Sequence, residues 1–178
     1  MSSPPSTGRG LLVMKFGGTS MGSAERMNVA VEICAQEQKK RPVIAVVSAM
    51  SKVTDLLLDT LRRAEAGDDT GIQANLSALA RRHRDCIAQL LPDGTSLDGA
   101  SNGIDKLIAD FGRIVQGTRM LGERPPRSVD EAIAIGERLS ALIMAGYMNS
   151  IGIQAQAVNG AEVIVTDAVF GNATPILE

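Results

Sequence analysis

The sequence predicts an α/β fold built on a parallel sheet, and three observations carry that expectation. A short apolar run, Leu11–Met14, reads as a buried strand and leads through a glycine pair into a helical pattern. A second run, Val43–Ser48 (VIAVVS), is unbroken and rich in β-branched residues, the composition of a strand covered on both faces. Strand, helix and strand follow one another between residues 11 and 48, which is the order of one right-handed βαβ unit.

The chain opens on MSSPPSTGRG, rich in Ser, Pro and Gly, and residues 1–10 are expected to be a disordered lead-in. Residues 11–178 form the folded unit. The turn between the first strand and helix is Lys15-Phe16-Gly17-Gly18-Thr19-Ser20. Residues without a Cβ let the backbone approach an anion, N–H groups at a helix start point at it, and a lysine neutralises it. The turn is neither a P-loop, whose lysine follows its glycines, nor a dinucleotide fingerprint. By spacing alone, anion seat and plain tight turn are evenly matched. A lysine ending a buried strand tips the balance, because it has little structural reason to be there.

The first helix is expected over Ala24–Lys40, from Met27, Ala30, Val31 and Cys34 at helical spacing. The loop Ser48–Thr54 (SAMSKVT) leaves the C-terminal end of the second strand, where open parallel sheets collect their ligands, so it should lie beside the glycine turn. Helix returns over Asp55–Ala66. Two stripes then predict a helical hairpin: Ile72, Leu76, Leu79, His83, Cys86 and Leu90, then Ile104, Ile108, Phe111 and Val115, joined by the polar Pro92–Asn102. This hairpin is an insertion over about residues 70–120. Its stripes need only the ordinary core explanation, although its length would suit a lid or a contact surface. His83, on such a stripe, reads as a core histidine, with no partner for nucleophilic chemistry.

After Pro125–Pro126, Ser128-Val-Asp-Glu131 has the form of a capping box, opening a helix to about Met148. Gly136 inside it costs about 1 kcal/mol against alanine, which implies close packing at that point. Glu137 follows among apolar neighbours: either a solvated position or a counter-charge for an ammonium group. Thr54 alone would be an N-cap. Alternation at Ile153–Val158, and more weakly at Val163–Thr166, suggests strands.

Composition excludes several classes. The 178 residues hold 44% hydrophobic and 21% charged residues, with three Phe, one Tyr and no Trp, so the core must be aliphatic. A net charge of −2 without a basic run argues against nucleic acid as a partner. Cys34 and Cys86 sit at apolar helical positions as buried thiols, with no zinc pattern and no disulfide framework. No apolar run reaches the roughly 18 residues of a membrane span, so neither a membrane nor a secretory route is expected, and the cytoplasm is the default compartment.

Four motifs in order, KFGGTS at Lys15–Ser20, VVSAMSKVTDLL at Val46–Leu57, GERLS at Gly136–Ser140 and VTD–FGNA across Val165–Ala173, resemble the N-terminal part of an aspartate kinase, within the amino-acid kinase superfamily. The resemblance implies a three-layer α/β/α sandwich with a mainly parallel sheet and an enzyme that phosphorylates the side-chain carboxylate of L-aspartate with ATP and Mg²⁺. The 4-phosphate so formed opens lysine, methionine and threonine synthesis. It also implies site roles. Lys15 contacts the transferring phosphates and is the catalytic residue; Phe16, Gly17, Gly18, Thr19 and Ser20 complete the nucleotide-phosphate cradle. Ser48 and Thr54 meet the aspartate, Glu137 receives its α-ammonium, and Phe170 lies beside it. No protein metal ligand is expected. Aspartate kinases continue into a nucleotide-binding lobe and regulatory modules, so the chain reads as a lobe truncated before them. Its expected partners are aspartate, ATP, and either a second copy or a complementary C-terminal lobe or chain. The alternative is a non-catalytic subunit or truncated module of the same fold that pairs with a catalytic chain.

Overall fold

The computed structural model describes residues 10–91 and 95–177, with the backbone alone for 95–98; the lead-in expected at residues 1–9 lies outside the described residues. Strand β1, Leu12–Phe16, pairs in parallel with β2, Val43–Val47, in a register that sets Leu12 against Val43 and Phe16 against Val47. Helix α1, Ala24–Gln38, crosses between them. Ser23 caps it, its hydroxyl accepting from Arg26 N–H at 3.3 Å, and so satisfies one of the orphan donors of the first turn.

The sheet has one covered face. Met14, Val43, Ala45 and Val47 pack against the core, whereas Val13, Ile44 and Val46 stand about half-exposed on the other side (58%, 48% and 46%). β2 therefore alternates rather than being covered twice. The described residues supply the helical layer on one face of the sheet, and the second face carries no cover among them.

The remaining helices form a bundle on the covered face. α2 spans Val53–Ala66, α3 Asp69–Leu90, α4 Thr95–Leu121 and α5 Pro126–Ser150. Gly67, at φ 74, ends α2, and the Asp68 carboxylate caps α3 by accepting from Gly71 N–H at 2.9 Å. The α3–α4 hairpin belongs to the main core. Ile72, Leu79, Cys86 and Ile87 of α3 and Ile104, Phe111 and Val115 of α4 are buried in the same cluster as Leu57, Leu61, Leu139 and Ile143. Each such aliphatic side chain is worth about 1.5–3 kcal/mol when taken from water, so the stripes are core. The joint between α3 and α4 is shorter than expected: α4 begins at Thr95, despite Gly99 and Gly103, and Pro92–Gly94 lie outside the described residues. Gly103 has a packing reason, since a Cβ there would come within 2.7 Å of Leu142 Cδ2 on α5.

Four local expectations are corrected. α5 starts at Pro126, not after Ser128. Proline at the first helical position gives up an N–H that has no partner anyway and presets φ, so the capping box is bypassed. Thr54 is the second residue of α2, whose cap is Lys52, in a left-handed conformation. Ile153–Val158 is not a strand. Its backbone meets the Asn149 side chain instead, with Asn149 Nδ2 donating to Ala155 O at 2.8 Å and Ala155 N–H to Asn149 Oδ1 at 3.0 Å. Val163–Thr166 likewise forms no regular strand. A short 3-10 turn, Gly160–Glu162, leads into it, and Thr166 makes a single antiparallel bridge with Pro175.

Candidate active site at the strand ends

The glycine turn is built from bonds that occupy its carbonyls and leave its N–H groups over. Met21 N–H donates to Gly17 O at 3.1 Å, which makes one helical turn before α1 proper. Gly18 O accepts from the Ser51 hydroxyl at 2.9 Å, and Thr19 O from Gly22 N–H at 3.2 Å and Arg26 Nη1 at 3.0 Å. Among the described residues, the N–H groups of Gly18, Thr19 and Ser20 have no hydrogen-bond partner. Three consecutive orphan donors carry the partial positive charge of a helix start, so the turn is suited to an anion.

Lys15 stands beside it. Its ammonium lies 3.7 Å from where a Cβ on Gly17 would be, so the side chain folds over the first glycine. Its strand position is on the open face of β1. Burial is thus no argument for a function of Lys15; proximity to the turn is. Phe16, by contrast, is buried in the core and supports the turn from below. Thr19 and Ser20 are exposed.

The loop after β2 packs directly on the turn. Ser48 N–H donates to Phe16 O at 3.0 Å. A Cβ on Gly18 would sit 3.1 Å from Ala49 O and 3.9 Å from Ser48 Oγ. Helix α5 closes on the same loop from the other side. A Cβ on Gly136 would meet Ala49 Cβ at 2.7 Å and Val53 Cγ1 at 3.3 Å. One chain of contacts therefore runs from Gly18 through Ala49 to Gly136, the residue before the partly buried Glu137, with the partly buried Thr54 following Val53. The close packing expected at Gly136 is present, and its partner is Ala49.

Phe170 sits against the first turns of α5. It lies on the turn between residues 166 and 175, which Gly171 N–H pins to Asp130 Oδ2 at 2.7 Å and which puts the ring 5.9 Å from the Arg127 guanidinium. Asp130 is seven residues before Glu137, about 10 Å along a helix, and Phe170 is about half-exposed. The Asp167 carboxylate holds this turn, accepting from Thr174 N–H and Val169 N–H, which lower its pKa below the usual carboxylate range. Neither Asp130 nor Arg127 stood out in the sequence, since nothing local marks a tether spanning 41 residues. Ser51 and Lys52 were also missed as individuals, although the SAMSKVT loop was placed here.

Among the described residues no three His, Cys, Asp or Glu side chains gather closely enough to hold a metal ion, and no helix is long and apolar enough to cross a membrane. His83 is fully buried; its Nδ1 lies 2.8 Å from Leu79 O, and among the described residues its Nε2 has no partner.

The model of the amino acid kinase family matches residues 10–177. The chain belongs to the amino acid kinase family. Within that family it is 31% identical over 166 residues to an aspartokinase of Chlamydia muridarum, covering 93% of this chain and 34% of the relative. It is 30% identical over 160 residues to the chloroplastic bifunctional aspartokinase/homoserine dehydrogenase 1 of Arabidopsis thaliana, covering 90% of this chain and 17% of the relative. Among solved structures, E. coli aspartokinase III in complex with lysine and aspartate superposes with a TM-score of 0.81 at 24% identity, over 93% of this chain and 35% of that one. That likeness establishes the shared α/β fold. This chain of the amino acid kinase family thus resembles the N-terminal portion of aspartokinases and spans about a sixth to a third of their length.

Proposed function

We propose that this chain supplies the aspartate-binding lobe and the phosphate-contacting turn of an ATP-dependent kinase that converts L-aspartate to 4-phospho-L-aspartate in the cytoplasm. The observation that carries the reading is the run of N–H groups at Gly18, Thr19 and Ser20, unpartnered among the described residues, next to Gly17, against which the Lys15 ammonium folds. One cation, three orphan donors and the hydroxyls of Thr19 and Ser20 fit a polyphosphate. Aspartokinase relatives over nine-tenths of the chain support aspartate as the acceptor.

The acceptor needs no general base, because a carboxylate with a reference pKa of about 3.9 is already ionised near neutral pH. What the chain contributes is position and charge. Lys15 and the turn's N–H groups hold the transferring phosphoryl oxygens, Ser48 and Thr54 orient the acceptor, and Glu137 receives its α-ammonium. Mg²⁺, bound with the nucleotide, supplies further neutralisation of the phosphate charge. Phe170, on the turn tethered to Asp130 and Arg127, is the residue that lies beside the substrate.

A coupled ADP-release assay on the chain combined with a complementary nucleotide-binding lobe, with aspartate, glutamate and N-acetylglutamate in parallel, tests the reading. Turnover selective for aspartate is expected. Lys15→Met folds normally and loses at least about 10²-fold in rate, the scale of one lost charge-stabilising donor; near-full turnover removes Lys15 from the chemistry. Glu137→Ala raises the KM for aspartate far more than that for ATP, and equal effects count against ammonium binding.

The uncovered apolar sheet face at Val13, Ile44 and Val46 favours a second reading, in which the chain is a non-catalytic module of this fold that packs on a catalytic partner. Aspartate binding by calorimetry with no ADP release even when a complementary nucleotide-binding lobe is supplied distinguishes it.

A further inference from the structure

Ser51 reaches across 33 residues to donate its hydroxyl to Gly18 O at 2.9 Å, the only bond that carbonyl receives among the described residues. The carbonyl of Gly18 and the N–H of Thr19 belong to one planar trans peptide and point in opposite directions. Holding the carbonyl therefore aims the N–H, and Thr19 carries the middle one of the three orphan donors. Two further features serve the same contact. Val53 N–H donates to Met50 O at 2.9 Å, closing a turn with Lys52 third, at φ 62 and ψ 5. That is the type II geometry, which normally takes glycine at this position; a lysine keeps it only because the surroundings impose it. On the opposite side Gly22 leaves the hydroxyl its space, since a Cβ there would lie 2.6 Å from Ser51 Oγ.

We propose that Ser51 is a positioning residue for the phosphate seat: its hydroxyl fixes the Gly18–Thr19 peptide so that the N–H groups of the turn face a polyphosphate. The inference rests on the reading of that turn as a phosphate seat and adds a residue outside the Lys15–Ser20 segment. Ser51 acts through the peptide and touches no phosphate itself. It shapes the anion side of the site and leaves the aspartate side alone.

The test is calorimetric titration of the full chain with inorganic tripolyphosphate and, separately, with L-aspartate. Ser51→Ala weakens tripolyphosphate binding about fivefold to tenfold, the scale of one neutral hydrogen bond, and leaves aspartate binding within twofold. Ser51→Thr, which keeps the hydroxyl, binds tripolyphosphate within about twofold of the unaltered chain. Equal loss of both ligands in Ser51→Ala, or a loss in Ser51→Thr as large as in Ser51→Ala, marks general loop damage and overturns the assignment. Unchanged tripolyphosphate binding in Ser51→Ala overturns it while leaving the seat intact. If the unaltered chain does not bind tripolyphosphate at all, the seat itself is absent and both readings fall.

Discussion

Gly136 is the residue where two opposing effects have to be weighed. Alanine in its place gains about 1 kcal/mol of helix propensity. Its methyl, however, would stand 2.7 Å from Ala49 Cβ and 3.3 Å from Val53 Cγ1, neither of which is the end of a flexible side chain. Overpacking of this kind costs about 1–3 kcal/mol. Gly136→Ala is therefore expected to lower the melting temperature by several degrees, as calorimetry would show; a rise would mean that α5 does not press on the loop. His83 poses a different question. Burial, with a smaller contribution from Arg82, holds its pKa below the ordinary 6.5. The unfolded chain takes up a proton near pH 6.5 and the folded chain resists it, so stability is lost as pH falls below that value. Urea midpoints between pH 7.5 and 5 should fall for the natural chain and fall less for His83→Leu; identical slopes would place the acid sensitivity elsewhere.

At the scale of elements, the turn Met50–Val53 carries the loop onto the glycine turn, and Lys52 is its strained member. A left-handed non-glycine residue costs about 1–2 kcal/mol, and glycine returns part of that through its freer unfolded chain. Lys52→Gly is expected to leave the melting temperature unchanged or raise it, whereas Lys52→Val lowers it. A clear loss in Lys52→Gly would show that the side chain, not the backbone, matters. This element also shows where the sequence was legible. The loop's place at a parallel strand end followed from the order of apolar runs, because period and β-branching are local properties. The left-handed Lys52 did not, since lysine carries no preference for that backbone. Ser128 misled for a related reason: a capping box is a local pattern, and Pro126 two residues earlier starts the helix first. Ile153–Val158 alternates as strands do, but a strand needs a neighbour, and the Asn149 side chain takes its backbone instead.

Among the described residues the molecule is a two-stranded parallel sheet whose covered face shares one core with five helices, including the hairpin that the sequence set apart as an insertion. Apolar stripes revealed that those helices bury a face but not against what. The opposite sheet face, with Val13, Ile44 and Val46 open, could not be foreseen from an unbroken apolar run, which looks the same whether one side is covered or two. What the fold brings together is the turn at Gly17–Gly18, the loop at Ser48–Val53 and α5 at Gly136, and the account depends on their forming one site with an anion side and an ammonium side. An amide map of the ¹⁵N-labelled chain, titrated separately with tripolyphosphate and L-aspartate, tests this most directly. The account predicts that tripolyphosphate shifts Gly18, Thr19 and Ser20, while aspartate shifts Thr54 and Glu137 with their neighbours. Shifts confined to the outer surface of α3, or none at either group, would contradict it.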